Sequence, residues 1–394
     1  MIGEPRRNTG SSRDARGFSR EFVLVVCFFC LIALLGVTAL VSRMYHKRVH
    51  SLADQWFSYG EADFRAGNTK KALIEYRNAL AFSPANVMFQ FHLALALAAD
   101  GQLPEARAYL LPLLSESPGS GEINLALARI AAQQSRVQDA MLYYNSAIYG
   151  EWSDDPIEMR WNVRKELCEF LLDHGAASQA EPALVALDDN TPSGDVAKQK
   201  AAAQLLLRGQ MWSRALDEFH SVLESERNDP DALEGAGTAA FQLHNYSQAV
   251  GYLSRLPKDR ASDPGVPTML ETARQIQALD PFLPGLGMGE KARRTSHALD
   301  VATARAQQCG GTNGSTTSAN TAAPHSELAS LLATIQQNKR TWSERNLERD
   351  PDTVSQAMGL VFQIENAAAK TCGAPSGENL ALWTIGQNLG NNLP

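Results

Sequence analysis

Small and large apolar residues recur along much of the chain at a spacing of 34 residues. Ala72, Ala106 and Ala140 are 34 residues apart. Each is followed four and seven residues later by further apolar or aromatic side chains, namely Tyr76, Leu110 and Tyr144, then Ala79, Leu113 and Ala147. Positions i, i+4 and i+7 lie on one face of a helix. A pattern repeated at this period therefore predicts pairs of helices that stack in series.

The clearest unit extends from Ala53 to Asn86 and resembles the tetratricopeptide repeat family. The residues that carry the resemblance are two large and four small or turn-forming ones, Trp56, Gly60, Ala72, Tyr76, Ala79 and Pro84. The unit departs from the family pattern at Tyr59, where leucine is usual, and at Asp63, where tyrosine is usual. The same pattern continues in weaker form through Ala215, Gly237 and Ala249.

The resemblance implies an all-α fold, an α-solenoid of five or six helical hairpins at residues 53–257. Small side chains let paired helices approach closely and large ones fill the remaining volume. This packing role is assigned to Trp56, Gly60, Ala72, Tyr76, Ala79, Ala106, Ala140, Tyr144, Ala147, Ala215, Gly237 and Ala249. Further helices are expected at residues 258–309, a flexible Gly/Ser/Thr/Asn linker at 310–324 and a helical segment at 325–394.

An uncharged apolar run precedes the repeats. Residues Phe22 to Val41 contain no charged side chain, and twenty helical residues span roughly 30 Å, the thickness of a bilayer's hydrocarbon core. We therefore predict a transmembrane anchor at residues 22–42 after a basic tail at 1–21. A cleaved signal peptide is the alternative, although its apolar region is usually shorter. Five arginines before the run favour a cytoplasmic N-terminus.

Charge and motifs narrow the functional classes. Residues 22–394 carry 31 basic and 40 acidic side chains, a net charge of −9. Such an acidic body argues against nucleic-acid binding, which needs clustered Lys and Arg. The sequence contains none of the common nucleophile, phosphate-loop or zinc motifs. We therefore expect no enzyme activity, no metal and no cofactor. An unrecognised active site among the C-terminal helices remains the alternative.

In this family the first helix of each pair lines the inner face. By alignment, that face carries Phe57, Glu61, Phe64, Met88, Phe91, Leu95 and Arg129. The family's clamp for a C-terminal carboxylate needs Lys and Asn where this chain has Phe57 and Glu61, so that binding mode is excluded. The apolar residues instead suit an amphipathic helix or an extended apolar peptide of another protein. The alternative is burial of the same side chains between neighbouring hairpins.

Cys309 and Cys372 each end a predicted helix and are each followed by glycine. This shared context makes them candidates for a disulfide, which would form in an oxidising compartment. Two unrelated thiols in a reducing cytosol are the alternative.

The resemblance to single-pass, membrane-anchored bacterial tetratricopeptide proteins implies a protein-binding scaffold or chaperone-like adaptor. It would act in envelope assembly, secretion or polymer export. The expected location is the bacterial inner membrane, with a cytoplasmic N-terminus and the repeats in the periplasm.

Overall fold

The computed structural model describes residues 20–311 and 322–390. Within these ranges the chain forms helices joined by turns, with one isolated β-bridge between Ser120 and Glu151. The predicted all-α fold class is therefore confirmed. The chain divides into two compact units, Met1–Pro156 and Ile157–Pro394, and each is described by itself.

The described part of the N-terminal unit forms six α-helices. Their bounds are α1 (Arg20–Arg65), α2 (Thr69–Phe82), α3 (Val87–Ala99), α4 (Leu103–Glu116), α5 (Gly121–Gln133) and α6 (Val137–Ile148). The last turns of α1 pair with α2, α3 pairs with α4, and α5 pairs with α6. These three pairs coincide with the first three sequence repeats.

Helix α1 contains 46 residues, so it is about 70 Å long. It extends without a break from the apolar run into the first helix of the first repeat. The expected anchor and the expected repeat domain are thus parts of one helix. Among the described residues, α1 is the one helix long and apolar enough to cross a bilayer, and its apolar part is exposed.

Close contacts between small and large side chains hold each pair together. A Cβ added at Gly60 would lie 2.6 Å from the ring of Tyr76, so only glycine permits α1 to approach α2 this closely. Gly67 and Gly101 have φ angles of 79° and 81° at the turns within the first two pairs, a conformation that favours glycine. Trp56 is only half-buried. The other residues assigned to packing in this unit are buried, namely Gly60, Ala72, Tyr76, Ala79, Ala106, Ala140, Tyr144 and Ala147.

The C-terminal unit begins with six helices. They are α7 (Pro156–Asp173), α8 (Ala177–Asp189), α9 (Val196–Arg208), α10 (Trp212–Ser225), α11 (Pro230–Gln242) and α12 (Tyr246–Leu253), of which α9 packs against α10 and α11 packs against α12. Ala215 and Ala249 are fully buried. Gly237 faces Leu253, whose side chain would be 2.4 Å from an added Cβ. All three small residues therefore lie in the packed interior of this unit.

Six further α-helices follow in the part of this unit that the structure describes. They are α13 (Val266–Leu279), α14 (Met288–Gly311), α15 (Ala322–Asn338), α16 (Glu344–Leu347), α17 (Pro351–Cys372) and α18 (Glu378–Gly390). Their apolar faces form one core with Tyr246 of α12. Helices α14 and α15 reach into the segment assigned to a linker at residues 310–324. Residues 312–321 of that segment lie outside the described residues, as does most of the basic tail at 1–21.

Candidate functional site

The predicted groove residues of the first two repeats lie on α1 and α3. Phe57, Phe64, Phe91 and Leu95 are half-buried and pack along the edge of the core of this unit. Met88, at the start of α3, is 48% exposed. One side of Phe57, Phe64, Phe91 and Leu95 therefore contacts the core and the other remains at the surface, and the groove itself stays a prediction. We call Phe57, Phe64, Met88, Phe91 and Leu95 the apolar stripe.

Aromatic rings from three helices meet within this stripe. The ring of Phe57 stacks on that of Phe89 with centroids 4.8 Å apart and lies 5.7 Å from that of Tyr76. His92 of α3 lies edge-on to Phe57 at 5.0 Å and to Phe91 at 5.8 Å. Such tilted and offset ring contacts are favourable beyond the area that they bury. The stripe is consequently held in place before any partner arrives.

Glu61 occupies the centre of this cluster. Its Oε1 accepts a hydrogen bond of 2.7 Å from the Tyr76 hydroxyl and lies 2.5 Å from Nδ1 of His92. Its Oε2 accepts a bond of 3.1 Å from Nη2 of Arg65. The Glu61 side chain is 19% exposed, whereas that of Arg65 is 78% exposed. Tyr76 and His92 of the repeat therefore bind Oε1, whereas Oε2 contacts Arg65, which is exposed to solvent.

These contacts keep Glu61 ionised. Burial acts to raise the pKa of its carboxyl group, but the hydrogen bond from Tyr76 and the neighbouring His92 and Arg65 outweigh burial and lower that pKa. Burial and the bond to Glu61 raise the pKa of the Tyr76 hydroxyl, so tyrosine remains a hydrogen-bond donor. The result is a fixed negative charge within an apolar stripe.

The sequence analysis missed His92, although it identified Phe91 beside it. The histidine follows the second-repeat counterpart of Phe57 by one position, and no motif surrounds it. Its role depends on which side chain of α1 it faces. Arg129 lies on α5 and is exposed, and its place in the groove stays a prediction.

The structure brings Cys309 and Cys372 together at the ends of α14 and α17. Their Cα atoms are 5.9 Å apart and their sulfur atoms are in bonding contact, a spacing that suits a disulfide. Cys168 is buried, and burial raises the pKa of its thiol to about 12. A thiol with that pKa is unreactive at neutral pH.

A cleft in the C-terminal unit collects several titratable groups on α14 and α18. Glu290 forms ion pairs of 2.7 Å with both Arg293 and Arg294, and His297 lies 3.0 Å from Glu378. Arg294 also donates to two backbone carbonyl oxygens at the end of α13, those of Gln277 and Asp280. Each of these side chains binds a neighbouring helix or its own, so the cluster joins α13, α14 and α18.

Comparison with known proteins identifies the repeats. The tetratricopeptide repeat family matches residues 58–121, 91–156 and 200–267. The chain thus contains tetratricopeptide repeats in both units, as the sequence pattern predicted. Helices α7 and α8 lie between the matched segments. Comparison with curated protein sequences gives no match.

Several solved structures of tetratricopeptide proteins are similar to this chain. The protein YrrB, described as having an unusual peptide-binding site, is 16% identical over 48% of this chain and 94% of its own, with a TM-score of 0.38. Pseudomonas aeruginosa pilF is 16% identical over 57% and 98%, with a TM-score of 0.40. The type IV pilus biogenesis factor PilW is 18% identical over 56% and 98%, also with a TM-score of 0.40. At these values the similarity says nothing about what the present chain binds.

Proposed function

From the tetratricopeptide repeats that this chain carries, we propose that it is a membrane-anchored scaffold that holds a segment of another protein. The observation that carries the proposal is the apolar stripe, whose half-buried side chains lie in order on α1 and α3. An exposed row of this kind suits an amphipathic helix or an extended apolar peptide laid along it. The scaffold would act without cofactor, metal or catalysis of its own.

The membrane part of the proposal rests on α1. Its apolar residues are exposed from Leu24 to Val41, and burying such a surface in lipid removes it from water. Phe57 lies 16 residues after Val41 on the same helix, so the groove would start about 24 Å from the bilayer. We place the N-terminus in the cytoplasm and the repeats in the periplasm of a bacterial inner membrane. There the scaffold would serve envelope assembly, secretion or polymer export.

Photocrosslinking in the native host tests the groove. A photocrosslinking amino acid at Met88, which is 48% exposed in the stripe, is expected to give discrete adducts with a partner. The same amino acid at Leu142, which is 63% exposed on α6, serves as the control and is expected to give none. The substitution Phe91→Asp should reduce the Met88 adducts at least tenfold, because it places a charge at the centre of an apolar contact.

The crosslinking result is interpreted together with the folded state of the variant. Phe91→Asp should leave the far-ultraviolet circular dichroism and the melting temperature within a few degrees of the unsubstituted protein. Equal adducts at Met88 and Leu142 would contradict the groove proposal. Adducts unchanged by Phe91→Asp in a folded variant would do the same.

Membrane attachment has a separate test. The full chain should stay in the membrane pellet after an alkaline carbonate wash, and deletion of residues 22–42 should release it, because that deletion removes the apolar span. Protease added to intact spheroplasts should digest the repeats. A soluble mature chain that begins after residue 40 would show that the apolar run is a signal peptide. Digestion only after lysis would reverse the proposed orientation.

A further inference from the structure

We propose that the groove selects a partner segment with one basic side chain, a lysine or arginine flanked by apolar residues, and that Glu61 is the counter-ion for this side chain. The inference rests on the proposed function and specifies the chemistry of the partner.

The first argument is the geometry of the Glu61 carboxylate. Tyr76 and His92 bind Oε1, and both belong to the repeat structure itself. Oε2 is bound by Arg65 alone among the contacts described above, and the Arg65 side chain is 78% exposed. An exposed ion pair of this type contributes little, because water competes for both groups. An incoming cation can therefore replace Arg65 at Oε2 at small cost.

The second argument is the aromatic surroundings of that oxygen. Phe57 and Phe64 lie four residues before and three residues after Glu61 on α1, so all three share one face of the helix. His92 approaches this face from α3, with its ring 5.0 Å from that of Phe57, and Phe91 lies next to His92 on α3. Rings attract a cation over their faces, and the attraction increases as water leaves. The aliphatic part of a lysine or arginine also packs well on such rings.

The third argument is charge. Residues 53–156 contain 12 acidic and 7 basic side chains, a net charge of −5, which attracts basic peptides over long distances. Glu61 stays ionised because its pKa is lowered by the contacts described above. A carboxylate terminus placed here would meet a fixed negative charge. A wholly apolar peptide that displaced Arg65 would cover Oε2 without pairing it, which is costly.

Peptide selection gives a direct test. A phage-displayed library of random peptides is selected on the full-length chain in lipid nanodiscs. Peptides recovered on the unsubstituted protein should carry Lys or Arg beside apolar residues. Selection on Glu61→Gln should lose the basic preference but retain the apolar one. The matched control is Glu122→Gln, since Glu122 is a half-buried carboxylate of α5 whose Oε1 binds Ser153.

Affinities of one recovered peptide make the test quantitative. Fluorescence anisotropy should show about tenfold weaker binding to Glu61→Gln, which corresponds to roughly 1.4 kcal/mol. Replacing the basic residue of the peptide by norleucine should weaken binding to the unsubstituted protein by the same factor. The same replacement should not weaken binding to Glu61→Gln any further. Arg65→Gln should tighten binding, because it removes the competing cation. The norleucine peptide tests the ion pair between the peptide and Glu61 without altering the protein. It therefore keeps the inference testable even if Glu61→Gln changes the folding of the protein.

The outcomes separate this inference from the proposed function. If the library yields no peptide that prefers the unsubstituted protein over Phe91→Asp, the groove proposal fails. If peptides are recovered without basic residues, or bind Glu61→Gln and the unsubstituted protein equally, the counter-ion role of Glu61 fails and the groove stands.

Discussion

Replacing Arg305 by methionine is expected to destabilise the C-terminal unit by about 2–3 kcal/mol at pH 8. The Arg305 side chain is 9% exposed and that of Glu365 is fully buried. Nη1 of Arg305 donates to Oε2 of Glu365 at 2.8 Å, and Nη2 donates to the carbonyl of Gly373 at 3.1 Å. Methionine fills a similar volume but leaves the Glu365 carboxylate without a partner. A buried charge without a partner is far more costly than the loss of a surface pair.

The free-energy cost of Arg305→Met is expected to be larger at pH 8 than at pH 5. Burial raises the pKa of Glu365 to about 7, and the opposing charge of Arg305 only limits that rise. Since this folded-state pKa lies above the ordinary value near 4.5, the group favours folding most at low pH, and this contribution is lost as the pH rises through 7. Without Arg305 the pKa rises further, so Glu365 takes up a proton in the variant, and this limits the added cost at pH 8 to about 1.4 kcal/mol. At pH 5 Glu365 is neutral, and the variant should lose only about 1–2 kcal/mol of hydrogen bonding.

Hydrogen exchange on the full-length chain measures this effect locally. Amide exchange in peptides of α14 and α17 gives the free energy of opening at each pH. The double variant Arg305→Met, Glu365→Gln should recover much of the loss, because it removes the buried charge. Arg293→Met is the control, since Arg293 is 69% exposed in its pair with Glu290 and should cost below 1 kcal/mol. Equal losses at pH 5 and pH 8 would rule out the charge explanation.

The repeats could be predicted from the sequence because their packing is local and periodic. Ala72, Ala106 and Ala140 are each fully buried, as their common spacing indicates. A helix pair needs a small residue wherever its two axes cross, and this need repeats with each pair. The sequence also indicates that α1 is continuous, because no glycine or proline lies between Val37 and Tyr59. We predicted an anchor and a repeat as separate segments, and the missing helix breaker is the sign that they are joined.

The polar contacts could not be predicted in the same way. Glu61, Tyr76 and His92 belong to three helices, and their meeting depends on the rotation of each helix about its axis. Arg305 and Glu365 are 60 residues apart, and neither occupies a repeated position. Charged residues are common on helix surfaces, so a single one gives no sign that it is buried. Cys309 and Cys372 were an exception, because cysteines are few and both end a helix before glycine.

Removal of the Cys309–Cys372 link is the second large effect that we expect. Substituting Cys309→Ser and Cys372→Ser should destabilise the C-terminal unit by roughly 4 kcal/mol, since the link closes a loop of 63 residues. Denatured protein isolated without reductant should show three reactive thiols, at Cys27, Cys30 and Cys168, and five after reduction. Five reactive thiols before reduction would show that the link does not form in the cell, which would also argue against a periplasmic location.

The link and the Arg305 ion pair should not act independently. Arg305 precedes Cys309 by one turn of α14, and the Gly373 carbonyl that it binds directly follows Cys372. Both interactions therefore hold the end of α17 against the end of α14. Once the disulfide is absent, the end of α17 can move away and give Glu365 access to water. Arg305→Met should then cost at least 1 kcal/mol less in the serine variant than in the oxidised protein, which hydrogen exchange of α17 measures as a double-mutant cycle. Strictly additive losses would mean that the two interactions stabilise separate parts of the unit.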